Sequence, residues 1–163
     1  MKLKVAFQMD PITDVDLKAD TSFRLAEEAQ RRGHKIFYYH PENLIYNDGR
    51  VIARGNEIKI DKKLNQAVTL GPEKKLDLSK DIDIVWLRQD PPFDMLYITT
   101  TFLLDRIRNQ TLVVNDPYWV RNSPEKLMIL DFKDLMPPTI ITRNLAAIVE
   151  FREEYRDIIL KPL

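Results

Sequence analysis

The chain has 163 residues, which is enough for one domain with a hydrophobic core and part of a second, but not for two complete domains. Its 25 basic and 25 acidic residues cancel, so no electrostatic field gathers nucleic acid or anionic lipid, and the absence of cysteine excludes disulfides and thiolate sites. No apolar run approaches the ~18 residues of a membrane span. We therefore expect a cytoplasmic protein whose partners are small molecules or proteins, with neither nucleic acid nor membrane among them.

The first third of the chain predicts a βαβ unit. KLKVAFQM is typical of a strand, TSFRLAEEAQRRG of a helix capped by Asp20 or Thr21 and ended by Gly33, and HKIFYYH of a second strand. This order is typical of a parallel sheet. Asp48-Gly49 then lies between two β-prone runs and predicts an antiparallel hairpin insertion, because a type I′ turn needs positive φ at both central positions.

The middle of the chain predicts a second βα repeat. KLNQAVTL and EKKLDL, around Gly71-Pro72, are polar and favour a further hairpin or a loop. DIDIVWLR and TLVVND are each typical of a strand. The helix predicted between them, DMLYITTTFLLDRIRN, places one apolar stripe on Met95, Ile98, Phe102, Leu103 and Ile107. We therefore expect an α/β fold with an open, mostly parallel, Rossmann-like sheet and a β-hairpin insertion.

The organisation changes near residue 122. NSPEKLMIL predicts a helix with Ser123 as its N-cap, Pro124 as its first residue and Glu125 in its first turn. PPTIITRN and DIILKPL predict strands on either side of the helix NLAAIVEFREEY. We expect residues 1–122 to form one domain and residues 123–163 to begin another α/β unit.

The candidate binding residues follow predicted strands, because ligands of an open parallel sheet bind beyond the carboxyl ends of its strands. Asp10 precedes a polar loop that could present backbone N–H groups to an anion, or could form a simple turn set by Pro11. LRQDPPFD places Arg88 and Asp90 on a turn stiffened by two prolines. Arg88 has the planar fork for a carboxylate, although an internal ion pair with Asp90 or Asp94 is an equal alternative.

Two lysines are further candidates. Lys126 lies in a predicted first helical turn, where a lysine opposes the helix dipole unless an anion is near, and Lys161 ends the last predicted strand. A solvated lysine is the commonest explanation for either. The glycine-rich signatures of dinucleotide and P-loop sites are missing from the sequence, and no nucleophilic triad, carboxylate dyad or set of metal ligands stands out. We therefore assign no catalytic residue and no metal ligand.

Seven stretches, taken in order and spacing, resemble the amino-terminal half of the prokaryotic glutathione synthetase family of ATP-grasp ligases: MDPI, KADTSFRLAEEAQRRGH, LRQDPPFD, VVNDP, NSPEKL, TRN and DIILKPL. The resemblance covers essentially the entire chain. It implies that ATP phosphorylates the carboxylate of γ-glutamylcysteine and that glycine attacks the acyl phosphate. It also implies a pre-ATP-grasp substrate-binding domain at residues 1–122 and the truncated start of an ATP-grasp nucleotide-binding domain at residues 123–163.

The same resemblance implies roles for single residues. Lys126 and Lys161 match lysines that contact ATP phosphates. The loops at Asp10 and at Arg88 to Asp94, with Asp90 between, match walls of the dipeptide cleft. The implied cofactors are ATP and Mg²⁺, and the resemblance places the magnesium carboxylates and catalytic arginines beyond this chain. We therefore expect the chain alone to be inactive, and the full-length protein to be a homo-oligomer.

Two alternatives stay open. The chain could belong to another ATP-grasp carboxylate–amine ligase that has the same front domain. Alternatively, residues 1–122 could be a stand-alone module that binds a small molecule, because the βα pattern is complete before residue 123.

Overall fold

The structure is a computed structural model that describes residues 1–62 and 67–162. It divides into two compact units, Met1–Asn122 and Ser123–Leu163. The first unit is α/β, as the sequence predicts, and its described residues form a seven-stranded sheet. Across the two described ranges, every helix is too short or too polar to cross a membrane.

The elements of the first unit follow the predicted order. Its strands are β1 (Lys4–Gln8), β2 (Lys35–Tyr39), β3 (Leu44–Asn47), β4 (Arg50–Ile60), β5 (Val68–Asp77), β6 (Ile84–Leu87) and β7 (Leu112–Val114). Its helices are α1 (Thr21–Arg31), α2 (Leu78–Asp81), α3 (Met95–Asp105) and α4 (Pro117–Asn122), with a 3₁₀ turn at Pro41–Asn43. Helix α1 begins at the predicted cap, since the Asp20 carboxylate accepts the N–H of Phe23.

Four strands form the parallel half of the sheet, in the order β2, β1, β6, β7. Strand β1 lies between β2 and β6, so Gln8 at its end is in register with Tyr39 and with Leu87. The carboxyl ends of these three strands therefore meet at one edge of the sheet. The segments that follow β1 and β6 are placed side by side by this arrangement.

The predicted hairpin joins β3 and β4. Asp48 and Gly49 have φ values of 48° and 78°, both positive as a type I′ turn requires. Strand β4 pairs antiparallel with β2, β3 and β5. The antiparallel insertion is therefore larger than one hairpin, although the expected α/β class with a parallel core is confirmed.

The further antiparallel pairing predicted for this stretch is present, as β4 with β5, but the turn expected around Gly71-Pro72 is wrong. Strand β5 continues through both residues from Val68 to Asp77. Within the described residues it pairs only with β4, so it is an edge strand on which polar residues and a proline are tolerated. This environment accounts for its polar sequence. The residues KLNQ at 63–66, which belonged to the same prediction, lie outside the described residues.

Both faces of the sheet are covered. Helix α1 contributes Phe23 and Ala26 to a core that contains Val5 and Phe7. The opposite face carries a second core with residues of α2 and α3, among them Leu104. Alternate residues of β1 therefore point into different cores, as expected for a strand inside an α/β sheet.

The predicted apolar stripe on α3 is wrong at two of its positions. Met95 and Phe102 are 71% and 54% exposed, whereas the helix buries Thr100, Thr101 and Leu104. The threonine hydroxyls donate to backbone carbonyls one turn earlier, which satisfies them inside the core. Because this helix has apolar residues around most of its circumference, periodicity alone could not identify the buried side.

The second unit is helical in its described residues. It contains α5 (Glu125–Met128), a 3₁₀ segment (Ile129–Leu135) and α6 (Leu145–Tyr155). Helix α6 agrees with the prediction and is capped by Asn144, whose side chain accepts the N–H of Ala146. The predicted Ser123 cap is wrong, because Pro124 occupies the N-cap position of α5 and no side chain caps that helix.

The two strands predicted in the second unit are also absent from its described residues. PPTIITRN and the segment from Asp157 to Pro162 are irregular. Ile159 and Leu160 are 84% and 70% exposed, so the apolar run is not buried as a strand would be. An extended segment becomes a strand only when a neighbour takes up its N–H and C=O groups, and this unit shows no such neighbour within residues 123–162.

Candidate functional site

The candidate site lies at the carboxyl ends of β1 and β6. Asp10 follows β1, and the turn from Arg88 to Asp94 joins β6 to α3. The N–H of Arg88 donates to the carbonyl of Gln8 at 2.8 Å, which continues the pairing of β1 with β6. The N–H of Asp90 donates to Oδ2 of Asp10 at 2.8 Å. The parallel register therefore brings together residues that are 80 positions apart in the sequence.

The guanidinium of Arg88 reaches from β6 to the first turn of α1. Its Nε donates to Oγ of Ser22 at 2.9 Å, and its Nη2 donates to Oγ1 of Thr21 at 2.8 Å. Within the described residues it forms no ion pair with Asp90 or Asp94, which were its alternative partners. Since hydroxyls are neutral acceptors, the positive charge of Arg88 remains available to an anion.

Asp94 has a structural role in this arrangement. Its Oδ1 accepts the N–H groups of Leu96 and Tyr97, each at 2.9 Å, and so caps α3. A contact between Asp94 and substrate stays a prediction. The carboxylate of Asp10 is 44% exposed and that of Asp90 belongs to an exposed residue, so both are accessible to a ligand.

Tyr97 is one residue that the sequence analysis missed. It lies one helical turn beyond Phe93, whose ring centroid is 5.0 Å away. Burial raises the pKa of the Tyr97 phenol; the charge of Arg88 opposes this effect, and the charges of Asp90 and Asp10 add to it. The phenol is therefore a protonated hydrogen-bond donor at neutral pH, near all three charged groups. The i, i+4 spacing of two aromatic residues after the proline turn was the available signal.

The loop after β1 forms turns. The N–H of Asp14 donates to the carbonyl of Pro11 at 2.9 Å, and Asp20 occupies the N-cap of α1 with its own carboxylate. The N-terminus of α1 is therefore already capped by an anionic side chain. This favours the simple-turn interpretation of the loop over an anion-binding one.

We call Asp10, Arg88, Asp90 and Tyr97 the strand-end cluster. It combines one guanidinium, two carboxylates and one phenol around the end of β1. A guanidinium recognises a carboxylate, and carboxylates recognise an ammonium group. The cluster can therefore bind a ligand that carries both groups, as an amino acid or a γ-linked peptide does.

The two candidate lysines lie in the second unit. Lys126 is an exposed residue of α5, and Lys161 is exposed in an irregular segment instead of at the end of the predicted strand. Neither is paired with a carboxylate among the residues that the structure describes. Their contact with ATP phosphates stays a prediction.

Comparison with known proteins gives the family. A family model described as prokaryotic glutathione synthetase, N-terminal domain, matches residues 3–121, and one described as its ATP-grasp domain matches residues 125–163. The chain is similar to curated glutathione synthetases of Mesorhizobium japonicum (54% identical over 163 residues), Brucella melitensis (53% over 163) and Salmonella typhimurium (38% over 162).

These matches cover 100%, 100% and 99% of this chain, but only 52%, 52% and 51% of the respective relatives. The chain therefore spans about half the length of the curated relatives it matches. The two family models together account for nearly every residue. The chain belongs to the prokaryotic glutathione synthetase family.

Proposed function

We propose that this chain carries the dipeptide-binding part of a glutathione synthetase, the ATP-dependent ligase that joins γ-glutamylcysteine to glycine. The observation that carries the proposal is the match of the whole chain to proteins named glutathione synthetase, for example at 54% identity to that of Mesorhizobium japonicum. The strand-end cluster supports it, because its charges suit a ligand with both a carboxylate and an ammonium group.

The glutamyl end of γ-glutamylcysteine fits the strand-end cluster. Its α-carboxylate is assigned to Arg88, whose guanidinium is held in place by two hydroxyls and carries an uncancelled charge. Its α-ammonium group is assigned to Asp10 and Asp90. The Tyr97 phenol donates a hydrogen bond to the bound peptide. Binding by several fixed groups would hold the cysteine carboxylate still while it is phosphorylated.

The proposed cofactors are ATP, which would supply the phosphoryl group, and Mg²⁺. Lys126 and Lys161 fit contacts with phosphate oxygens, because both are exposed cations. The described residues contain no group of three or more His, Asp or Glu side chains that could hold a metal ion. We therefore assign no Mg²⁺ ligand among them, and no step through the metal.

We propose that residues 1–122 bind the acid substrate and that residues 123–163 belong to the nucleotide-binding domain. Along the sequence, the first compact unit ends at Asn122 and the second begins at Ser123. The match to the first family model ends at residue 121, and the match to the second begins at residue 125. We further propose a cytoplasmic location and homo-oligomerisation of the whole enzyme.

Calorimetric titration of γ-glutamylcysteine into the 163-residue chain tests this function. We expect saturable 1:1 binding, and much weaker binding of 4-aminobutyrylcysteine, which lacks only the glutamyl α-carboxylate. Equal affinity for the two peptides would contradict the role of Arg88. A chain that is folded but binds neither peptide would contradict the proposed function of residues 1–122.

A further inference from the structure

A buried glutamine lies directly behind the strand-end cluster. Gln8, the last residue of β1, is 0% exposed and points toward the core that contains Ala6 and Leu104. It is the residue whose carbonyl accepts the N–H of Arg88. A glutamine is seldom fully buried, because its amide group needs several hydrogen bonds to offset the loss of water.

The side chain of Gln8 joins the two segments that carry the cluster. Its Nε2 donates to Oε1 of Gln89, in the turn after β6, and to Oγ1 of Thr100, in α3, both at 3.4 Å. Thr100 in turn donates to the carbonyl of Tyr97 at 2.8 Å. One amide therefore links the end of β1, the turn that contains Arg88 and the first turns of α3.

The stabilisation that Gln8 gives to the fold is small. Bonds of 3.4 Å are long for an amide donor, and within the described residues Oε1 of Gln8 is buried without a partner. A buried polar atom without a partner costs free energy, so an apolar residue of similar shape would stabilise the fold as well or better. An unfavourable group kept next to a binding site is typical of a functional constraint.

We propose that Gln8 is a positioning residue for the strand-end cluster: through Gln89 and Thr100 it fixes the turn after β6, so that Arg88, Asp90 and Tyr97 keep the geometry that receives the peptide. The inference rests on the proposed function for the identity of the ligand. The fixing of the turn itself does not depend on that ligand.

The test replaces Gln8 by methionine, which has a similar length and no hydrogen-bonding amide. We expect Gln8→Met to melt at the same temperature as the parent chain or higher. We also expect the backbone amide of Asp90, which donates to Asp10, to exchange its hydrogen about fivefold faster than in the parent chain. A factor of about five corresponds to the loss of one hydrogen bond of about 1 kcal/mol. NMR measures this exchange in the unliganded chain.

Thr111→Val is the matched control. Thr111 is 1% exposed and donates to the carbonyls of Leu78 and Ile82, at the opposite end of β6 from the cluster. This variant should melt at a lower temperature while the exchange of the Asp90 amide stays within twofold of the parent. Gln8→Met would be purely structural, and the proposal overturned, if it lowered the melting temperature and accelerated exchange throughout the chain.

A double variant tests the route through Gln89. If Gln8 acts on the turn through this residue, Gln8→Met combined with Gln89→Met should accelerate the Asp90 amide no more than the faster single variant does. If the two substitutions instead multiply each other's effect on the exchange rate of the Asp90 amide, Gln8 does not act through Gln89. An unchanged Asp90 amide in Gln8→Met would overturn the proposal altogether.

Peptide binding separates the two proposals. Gln8→Met should weaken the binding of γ-glutamylcysteine. If this variant exchanges the Asp90 amide faster than the parent but binds the peptide with the same affinity, the positioning role is overturned. If the parent chain binds no peptide while the Asp90 amide responds to Gln8→Met, the proposed function fails and the fixing of the turn by Gln8 stands.

Discussion

Replacing Arg88 should separate the contribution of its charge from that of its fork-shaped geometry. In the structure the guanidinium donates to Ser22 and Thr21 and has no carboxylate partner among the described residues. Arg88→Ala removes the charged group that would hydrogen-bond the bound peptide. The loss of one such charged hydrogen bond should weaken binding by roughly 1.5–3 kcal/mol, or about 10- to 150-fold in Kd. Arg88→Lys keeps the charge but loses the planar fork that bonds both hydroxyls, so its Kd should lie between those of the parent and the alanine variant.

Calorimetric titration with γ-glutamylcysteine measures these affinities, and circular dichroism verifies that each variant is folded. Arg24→Ala is the control, because Arg24 is an exposed arginine of α1 that pairs only with Glu27 among the described residues. Its loss should leave Kd within twofold of the parent value. A folded Arg88→Ala variant that binds as tightly as the parent would refute the assignment of the carboxylate to Arg88.

Gly55→Ala should destabilise the chain by about 1–3 kcal/mol in urea unfolding, because a Cβ there would lie 2.5 Å from the backbone oxygen of Tyr38; Gly33→Ala, with φ of 83° and no atom within 4 Å, should destabilise it by about 1–2 kcal/mol through backbone strain alone. Arg88→Ala should raise the pKa of Tyr97 further, since the charge of Arg88 opposes the effect of burial. The absorbance of tyrosinate as a function of pH, compared with that of a Tyr97→Phe variant, measures the pKa of Tyr97. A lowered pKa would be contrary evidence. The 163-residue chain with ATP, magnesium, γ-glutamylcysteine and glycine should release no glycine-dependent ADP, and turnover near about 1 s⁻¹ would show that catalytic residues lie within it.

Local chemistry determined which parts of the fold could be predicted. The hairpin at Asp48-Gly49 and the cap at Asp20 depend on a few adjacent residues, so the sequence indicates them directly. Strand β5 and the buried side of α3 depend on which neighbours cover them. Neither the edge position of β5 nor the internal bonding of the threonines of α3 is visible in a hydrophobic pattern.

The same distinction holds for the candidate site. Asp10, Arg88 and Asp90 were identified because polar residues directly after buried strands lie where an open sheet binds ligands. The hydroxyl partners of Arg88 were not identified, since Ser22 lies 66 positions away on another element. Gln8 was missed for a similar reason: its bond with Thr100 spans 92 positions, and a glutamine within a strand gives no local signal.

Ligation by a joined protein tests whether this chain is the front half of a working glutathione synthetase. Residues 1–163 would be fused to the remaining half of the Mesorhizobium japonicum relative, which is 54% identical to this chain over their shared length. The fusion should form glutathione from γ-glutamylcysteine, glycine and ATP, and Arg88→Ala within it should reduce the rate at low dipeptide concentration. A folded fusion that makes no glutathione, but ligates another acid with an amine, would contradict the account and identify the chain with a different ATP-grasp ligase.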